Sequence, residues 1–352
     1  MKKISVLVVD DSAVIRSLFK QMLNAQPDIE VVDTAEDPYE AREKIKRLNP
    51  QVVTLDIEMP KMDGLSFLEK IMSLRPMPVI MVSSLTQKGA QETMRALEIG
   101  AIDCVSKPVS GGLDNSLENI ATELAEKVRA AAQANLSVMA ATALHSKKDE
   151  KKISFSPSSS MDTFIIAIGS STGGVEALRE IFKTLPNNLP PIVIAQHMPA
   201  QFTASFAARL NTLTDITVCE AQHGQILKHG HAYVAPGGRH LKIVRVDKIL
   251  KVQLTDEATV SGHRPSVDVL FSSVAKAVGS QSLGIILTGM GRDGANGLLE
   301  MKNLGAHTIG QNEASCVVYG MPRCAAEAGA VNVQCSLEKI PAKIVEYLAA
   351  KK

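Results

Sequence analysis

The chain has 352 residues, more than one hydrophobic core ordinarily serves, and this length predicts about two domains. Lys plus Arg (38) nearly balances Asp plus Glu (37), and the formal net charge of +1 excludes a global basic field for nucleic acid or an anionic membrane. No apolar run approaches the length of a bilayer span, and the opening MKKISVLVVDD meets acids where a secretion signal would stay apolar. The expectation is a cytoplasmic chain without membrane insertion. Five cysteines (Cys104, Cys219, Cys316, Cys324, Cys335) without a Cys-x-x-Cys pair favour free thiols over disulfides or a zinc site.

The first third alternates short apolar runs with amphipathic stretches: SVLVV and Ala13 to Ala25, VVDTA and Tyr39 to Leu48, VVTLD and Leu65 to Leu74. PVIMVSS and Ala90 to Glu98 follow, then IDCVS and Leu117 to Val128. This repetition predicts a doubly wound parallel sheet whose ligands sit beyond the carboxyl ends of the strands. Asp10 and Asp11 end the first strand, Asp56 the third, Ser83 and Ser84 the fourth, and Lys107-Pro108 follows the fifth, all on that rim. Clustered carboxylates repel unless a divalent ion joins them, and oxygen ligands suit magnesium. Taken singly, acids after strands are as readily explained as helix caps.

Together, Asp10/Asp11, Asp56, Ser83 and Lys107-Pro108 resemble the receiver domain of two-component response regulators over about residues 1–125. The resemblance implies a flavodoxin-like domain with Asp56 as phosphoacceptor. It implies magnesium at Asp10, Asp11, Asp56 and the backbone of Glu58, with Ser83 and Lys107 answering the phosphoryl group. Receivers commonly carry an aromatic switch residue where this chain has Cys104, which departs from the pattern.

An alanine-rich stretch (RAAAQANLSVMAATAL) continues the last helix, and HSKKDEKKISFSPSSSMD then reads as a linker with too little apolar surface to order itself. Residues 126–160 are thus expected as helical extension and linker, with a second domain over 161–352. Its first motif, FIIAIGSSTGG (Phe164 to Gly174), reads as strand, tight turn, helix. Gly169-x-Ser171-x-Gly173 has the form of a nucleophile elbow, with Ser171 at a helix N-terminus where backbone N–H groups can stabilise an oxyanion. Val175, Leu178, Ile181, Phe182 and Leu185 share one face of the helix that follows. PIVIAQHMP and Phe202 to Leu210 give the next strand and helix. Turn signals and alternating strands from Ile216 to Leu254 predict antiparallel additions to the sheet. Ser266 to Val278, LGIILTG and Ala295 to Leu304 then predict helix, buried strand and helix.

Of eight histidines, His197 directly follows a buried strand at the expected rim, and Asp293 stands just after LGIILTGMG. Ser171, His197 and Asp293 therefore suit nucleophile, base and orienting acid, although a lone histidine after a strand or an aspartate in GRDG also serves ordinary structural ends. The order Ser…His…Asp differs from the Ser…Asp…His of α/β-hydrolases, so the elbow does not assign that family. Cys219, His223, His229 and His231 match no closed zinc spacing, and GSSTGG lacks the Walker lysine and the Gly-x-Gly-x-x-Gly spacing.

GSSTGG, AQHMP, APGGRHL and LTGMGRDG, joined to a receiver, resemble the chemotaxis protein-glutamate methylesterase/glutamine deamidase (CheB) family over essentially the whole chain. The resemblance implies a Rossmann-like second domain and a Ser171, His197, Asp293 triad. The N–H groups of Thr172 and Met290 form the implied oxyanion hole. The substrates implied are glutamate γ-methyl esters and glutamines of methyl-accepting chemoreceptors. A chemotaxis histidine kinase is the implied phosphodonor, no cofactor serves the ester chemistry, and a monomer is expected. The linker length further suggests an unphosphorylated receiver that covers the Ser171 cleft until Asp56 is phosphorylated. Two other classes of reading, a DNA-binding effector and a non-catalytic receptor scaffold, are disfavoured by the lack of a basic helix-turn-helix and separated by an ester-hydrolysis assay respectively.

Overall fold

The β-branched runs and amphipathic stretches of the first third form β1 (Ile4–Val9), α1 (Ala13–Asn24), β2 (Ile29–Ala35), α2 (Pro38–Leu48), β3 (Val52–Asp56) and α3 (Gly64–Leu74). They are followed by β4 (Val79–Ser83), α4 (Gln87–Ile99), β5 (Asp103–Ser106) and α5 (Asp114–Ala132). The computed structural model describes residues 3–84, 86–108, 114–138, 153–155, 161 and 163–351. Short polar side chains start the helices: Asp37, Asp63 and Thr86 each accept N–H groups of the first turn, as N-caps do. All five strands pair in parallel in the order β2-β1-β3-β4-β5. β3 and β4 are buried along their whole length, as strands covered by helices on both faces must be.

Two compact units result, Met1–Ser146 and Lys147–Lys352. Most of the expected linker, 145–160, lies outside the described residues, as does the alanine-rich stretch beyond 138. Residues 153–155 are described and belong with the second unit: the Ile153 N–H donates to the Thr184 carbonyl at 3.1 Å, and Asn188 donates to the Phe155 carbonyl at 2.7 Å.

The second unit contains β6 (Ile165–Ser170), α6 (Gly174–Thr184), β7 (Ile192–Gln196), α7 (Ala200–Asn211), β8 (Thr217–Glu220), β9 (His231–Val234), β10 (His240–Val246) and β11 (Ile249–Thr255). α8 (Val267–Val278), β12 (Ser282–Ile286), α9 (Ala295–Asn303), β13 (His307–Gln311), α10 (Met321–Glu327), β14 (Val333–Cys335) and α11 (Ile340–Ala350) complete it. Seven strands form one parallel sheet in the order β14-β13-β12-β6-β7-β9-β8. The antiparallel strands foreseen between Ile216 and Leu254 are present in part. β10 and β11 pair antiparallel but as a separate ribbon, while β8 and β9 extend the main sheet in parallel. The ribbon buries Leu241, Ile243, Leu250, Val252 and Leu254 in the same core as Phe271 and Val274 of α8.

Strand order reverses at β6, because the chain moves outward through β7 and later returns to pair β12 on the other side. That switch point opens a crevice at the carboxyl ends of β6, β7 and β12. The approach of α8 to β6 there depends on Gly169, where a Cβ would lie 2.1 Å from Cγ1 of Val267. Val267 is β-branched and fully buried, so it has no room to yield. Gly169→Ala is therefore expected to destabilise the second unit by about 1–3 kcal/mol, as overpacking does. An unchanged urea midpoint for this variant would contradict the tight approach.

Candidate functional site

In the first unit, β1 and β3 are neighbours, and their ends deliver Asp10, Asp11 and Asp56 to one point, with one carboxylate oxygen of each within 4.8 Å of the others. Lys107, beyond β5, reaches Asp56 Oδ2 at 2.7 Å and Asp10 Oδ2 at 3.1 Å. The Ser12 N–H donates to Asp10 Oδ1 at 2.9 Å and the Glu58 N–H to Asp56 Oδ1 at 3.3 Å. Two of the three carboxylates thus share one ammonium. Burial pushes the Asp56 carboxyl up to about 6, only partly offset by its bond to Lys107, and burial likewise raises Asp10. Burial alone would lower the Lys107 pKa, but the bonds to Asp56 and Asp10 outweigh it, so the lysine stays charged. An all-carboxylate donor set with Asp11 exposed fits a hard divalent cation such as Mg²⁺.

Ser83 ends β4 next to Asp56, yet its hydroxyl is turned away, donating to the Gly89 carbonyl of α4 at 3.1 Å. Cys104 is buried in β5, and that burial pushes its thiol up to about 12, which leaves it a packing residue rather than a nucleophile.

In the second unit, Ser171 follows β6, His197 follows β7 and Asp293 lies between β12 and α9. The His197 N–H donates to the Ser170 carbonyl at 3.1 Å, and the Ser171 N–H to the Thr288 carbonyl at 3.0 Å. The loops after β6, β7 and β12 are thus tied backbone to backbone. His197 Nε2 lies 2.8 Å from Asp293 Oδ2, and its Nδ1 is buried without a hydrogen-bond partner among the described residues. The Ser171 side chain is half-buried and shares no hydrogen bond with the ring, whose Nε2 is held by Asp293 and whose Nδ1 has no partner among the described residues.

Asp293 is buried yet well served: the Ser266 hydroxyl (2.8 Å), the Val267 N–H (2.7 Å) and the Asp268 N–H (3.0 Å) all donate to it from the start of α8. Burial alone would raise its pKa, but the hydrogen bond with His197 and those from these N–H groups hold it below the usual carboxylate range. An ionised Asp293 only accepts, so Nε2 carries a proton, and in the neutral form of the ring the lone pair falls on Nδ1. Thr172 is buried, and its carbonyl accepts from the Thr288 hydroxyl at 3.0 Å. The Met290 N–H makes no backbone hydrogen bond among the described residues.

The sequence profile of the CheB methylesterase family matches residues 166–344, and that of the response regulator receiver domain matches residues 6–120. The chain belongs to the CheB methylesterase family. It is 56% identical, over 353 residues and the full length of both chains, to the "Protein-glutamate methylesterase/protein-glutamine glutaminase 1" of Caulobacter vibrioides. It is 52% identical to the protein-glutamate methylesterase/protein-glutamine glutaminase of Paraburkholderia xenovorans, over 99% of this chain and 98% of that one. The crystal structure of the Thermotoga maritima CheB methylesterase catalytic domain superposes with a TM-score of 0.52 at 39% identity, covering 52% of this chain and 98% of that one.

Several residues of this CheB-family site escaped the sequence reading. Gln196, buried at the end of β7, accepts from the Ser170 hydroxyl at 2.6 Å and donates to the carbonyls of Ser171 (2.9 Å) and His197 (3.1 Å). A Cβ on Gly174 would lie 2.2 Å from the Gln196 side-chain oxygen, which explains the last glycine of GSSTGG. His263 stacks on His197 with ring centroids 3.7 Å apart and planes at 17°. The glutamine directly before His197 was the one available signal, since a polar residue closing a buried strand needs partners. His223 and His231 are occupied otherwise, His223 accepting from the Leu254 N–H and His231 donating to the His229 carbonyl. Among the described residues, the Asp10, Asp11 and Asp56 group alone has the closeness of a metal site.

A carboxyl whose pKa is raised by folding binds its proton more tightly in the fold. Its destabilising effect is therefore absent below about pH 4 and complete above about pH 6. With metal chelated, Asp56→Asn is expected to stabilise the first unit at pH 7.5 by on the order of 2 kcal/mol. That gain should shrink towards pH 5, and magnesium should raise the melting temperature of the unsubstituted protein. Thermal melts at the two pH values, with EDTA or Mg²⁺, check this. A pH-independent difference would mean Asp56 is ordinarily ionised.

Proposed function

We propose that this chain is a phosphorylation-activated cytoplasmic hydrolase that removes methyl groups from glutamate γ-methyl esters of methyl-accepting chemoreceptors and deamidates receptor glutamines. The observation that carries the reading is the pairing of His197 Nε2 with a buried, ionised Asp293, which leaves Nδ1 without a hydrogen-bond partner among the described residues on the loop next to the one that carries Ser171. In this reading Ser171 Oγ attacks the side-chain carbonyl while its proton passes to His197 Nδ1, and Asp293 stabilises the imidazolium through Nε2–H. The ring thus works through the nitrogen opposite to the one used in the chymotrypsin arrangement. The N–H groups of Thr172 and Met290 receive the oxyanion. Methanol, or ammonia from glutamine, leaves with the proton returned from Nδ1. Water, deprotonated by the same nitrogen, then attacks the acyl group, and glutamate is released with Ser171 restored.

Regulation is assigned to the first unit, with a chemotaxis histidine kinase as phosphodonor and Asp56 as acceptor. Asp10, Asp11 and Asp56, beside the backbone of Glu58, would hold Mg²⁺, which when bound neutralises charge on the phosphoryl group in transfer. Lys107 pairs with the new phosphoryl oxygens, and the Ser83 hydroxyl turns to them, giving up the Gly89 carbonyl and so loosening the start of α4. With Cys104 in place of a ring, this route runs through Ser83 and Lys107. The unphosphorylated receiver restrains the esterase, and phosphorylation relieves it.

Methanol release from methylated receptor tests the chemistry. Ser171→Ala and His197→Ala should each lose activity by roughly 10⁶-fold and Asp293→Asn by roughly 10⁴-fold, as in other serine triads. Near-normal release by Ser171→Ala would end the serine mechanism. A radiolabelled small phosphodonor should label the protein but not its Asp56→Asn variant, and persistent label would move the acceptor elsewhere. A fragment starting at Lys147 keeps Ile153 and Phe155 on the esterase unit and should outpace the intact, unphosphorylated chain. Tenfold relief corresponds to about 1.4 kcal/mol. A fragment no faster than the intact chain would mean that phosphorylation acts by recruiting substrate instead.

A further inference from the structure

We infer that His240, which lies outside the reacting groups, is a positioning residue that fixes both supports of the His197 ring. The inference rests on the reading of Ser171, His197 and Asp293 as a catalytic set. His240 opens β10 and is fully buried. Both of its nitrogens are committed: Nδ1 faces the Ser266 N–H at 3.2 Å, and Nε2 faces the Ala258 carbonyl at 3.0 Å. An N–H can only donate and a carbonyl can only accept, so one arrangement satisfies both, the neutral ring with its proton on Nε2.

Each partner leads to His197. Ser266 caps α8, and its hydroxyl donates to Asp293 Oδ1 at 2.8 Å, while the next two N–H groups hold the same carboxylate. Its backbone position therefore sets where Asp293 can sit, and Asp293 Oδ2 holds His197 Nε2. Ala258 lies in the segment between β11 and α8 that carries His263. Arg264 Nη1 folds this segment back by donating to the Asp256 and Glu257 carbonyls, and Val260 pairs with His263 across its tip. The Ala258 carbonyl joins this segment to β10, and the His263 ring it carries covers one face of His197. One neutral imidazole thus anchors the edge contact and the face contact of the base. Catalytic geometry is unforgiving, since a displacement of about 1 Å can cost 10²-fold in rate.

The alternative is that His240 only satisfies the core, in which case its loss would change stability without changing turnover per folded molecule. Two side chains separate the arms in the intact protein. In His240→Asn the amide oxygen takes the place of Nδ1 and keeps the Ser266 bond. In His240→Gln the amide nitrogen takes the place of Nε2 and keeps the Ala258 bond. On methylated receptor, His240→Gln is expected to lower kcat by about 10- to 100-fold with KM within about twofold. It should also lose the low-field proton resonance of the His197–Asp293 bond. His240→Asn should keep that resonance and lose less of kcat. Wild-type kcat and resonance in folded His240→Gln would overturn the inference, as would a loss of rate that only tracks the folded fraction. If neither variant folds, the ¹⁵N shifts of His240 in the unsubstituted protein decide: a proton on Nδ1 overturns the assignment. Ser171→Ala, run alongside, keeps the two readings apart. Its inactivity beside an unaffected His240→Gln removes only the role of His240, whereas full activity of Ser171→Ala removes the catalytic set itself.

Discussion

The second unit is organised around one buried carboxylate at the start of a helix. Taking Asp293 out of water costs several kcal/mol unless its charge is met, and it is met by His197, the Ser266 hydroxyl and two N–H groups of α8. Those donors exist only if α8 begins where it does, close against β6. Val267, the first residue of α8, fills that contact. A Cβ on Gly169 would meet its side chain at 2.1 Å and one on Gly294 at 2.5 Å. Glycines of two motifs far apart in the chain therefore make room for a single valine, and that valine puts the N–H groups on the carboxylate.

The two units share an architecture and differ in what covers the switch point. In the first, neighbouring strand ends bring acids together against one lysine. In the second, they bring three polar loops together under a glutamine that bonds to two of them. Parallel sheets place loop ends side by side, so residues separated by more than a hundred positions become neighbours without a dedicated contact between their helices.

This explains what could be read in advance. The βα alternation was legible because buried parallel strands are continuous apolar runs, and residues directly after such runs were bound to reach a rim. Ser266, His240 and His263 were not legible as supports of the site, because each acts through a partner that only the fold supplies, and Gln196 left no more than the trace of a polar residue closing a buried strand. His240 sits in an ordinary alternating strand, and its partners are a backbone N–H and a carbonyl, which leave no trace in residue types. The pairing between Ile216 and Leu254 was legible only in part for a related reason: alternation marks a half-buried strand but not its direction, so the antiparallel β10 and β11 were foreseen while the parallel addition of β9 and of the edge strand β8 was not. Beyond Leu304, β13, β14, α10 and α11 went unassigned. β14 is three residues long and α10 seven, too short for either period to emerge. Ile153 and Phe155 sit in a charged, serine-rich stretch whose composition masks two apolar anchors.

The two buried aspartates also show why residue type does not determine role. Asp293 has four fixed donors, and they hold its pKa below the ordinary range against burial. Asp56 has one ammonium and one distant N–H, beside two other acids, and its pKa is pushed up to about 6. A carboxylate whose charge is already met by protein dipoles is stable as an anion, and its oxygens are bound too tightly to do more than orient what they touch. A carboxylate left short of donors has charge still to be met, and a cation or a change of covalent state relieves it. The difference comes from what each strand end meets: the N-terminus of a helix at Asp293, and a cluster of like charges at Asp56.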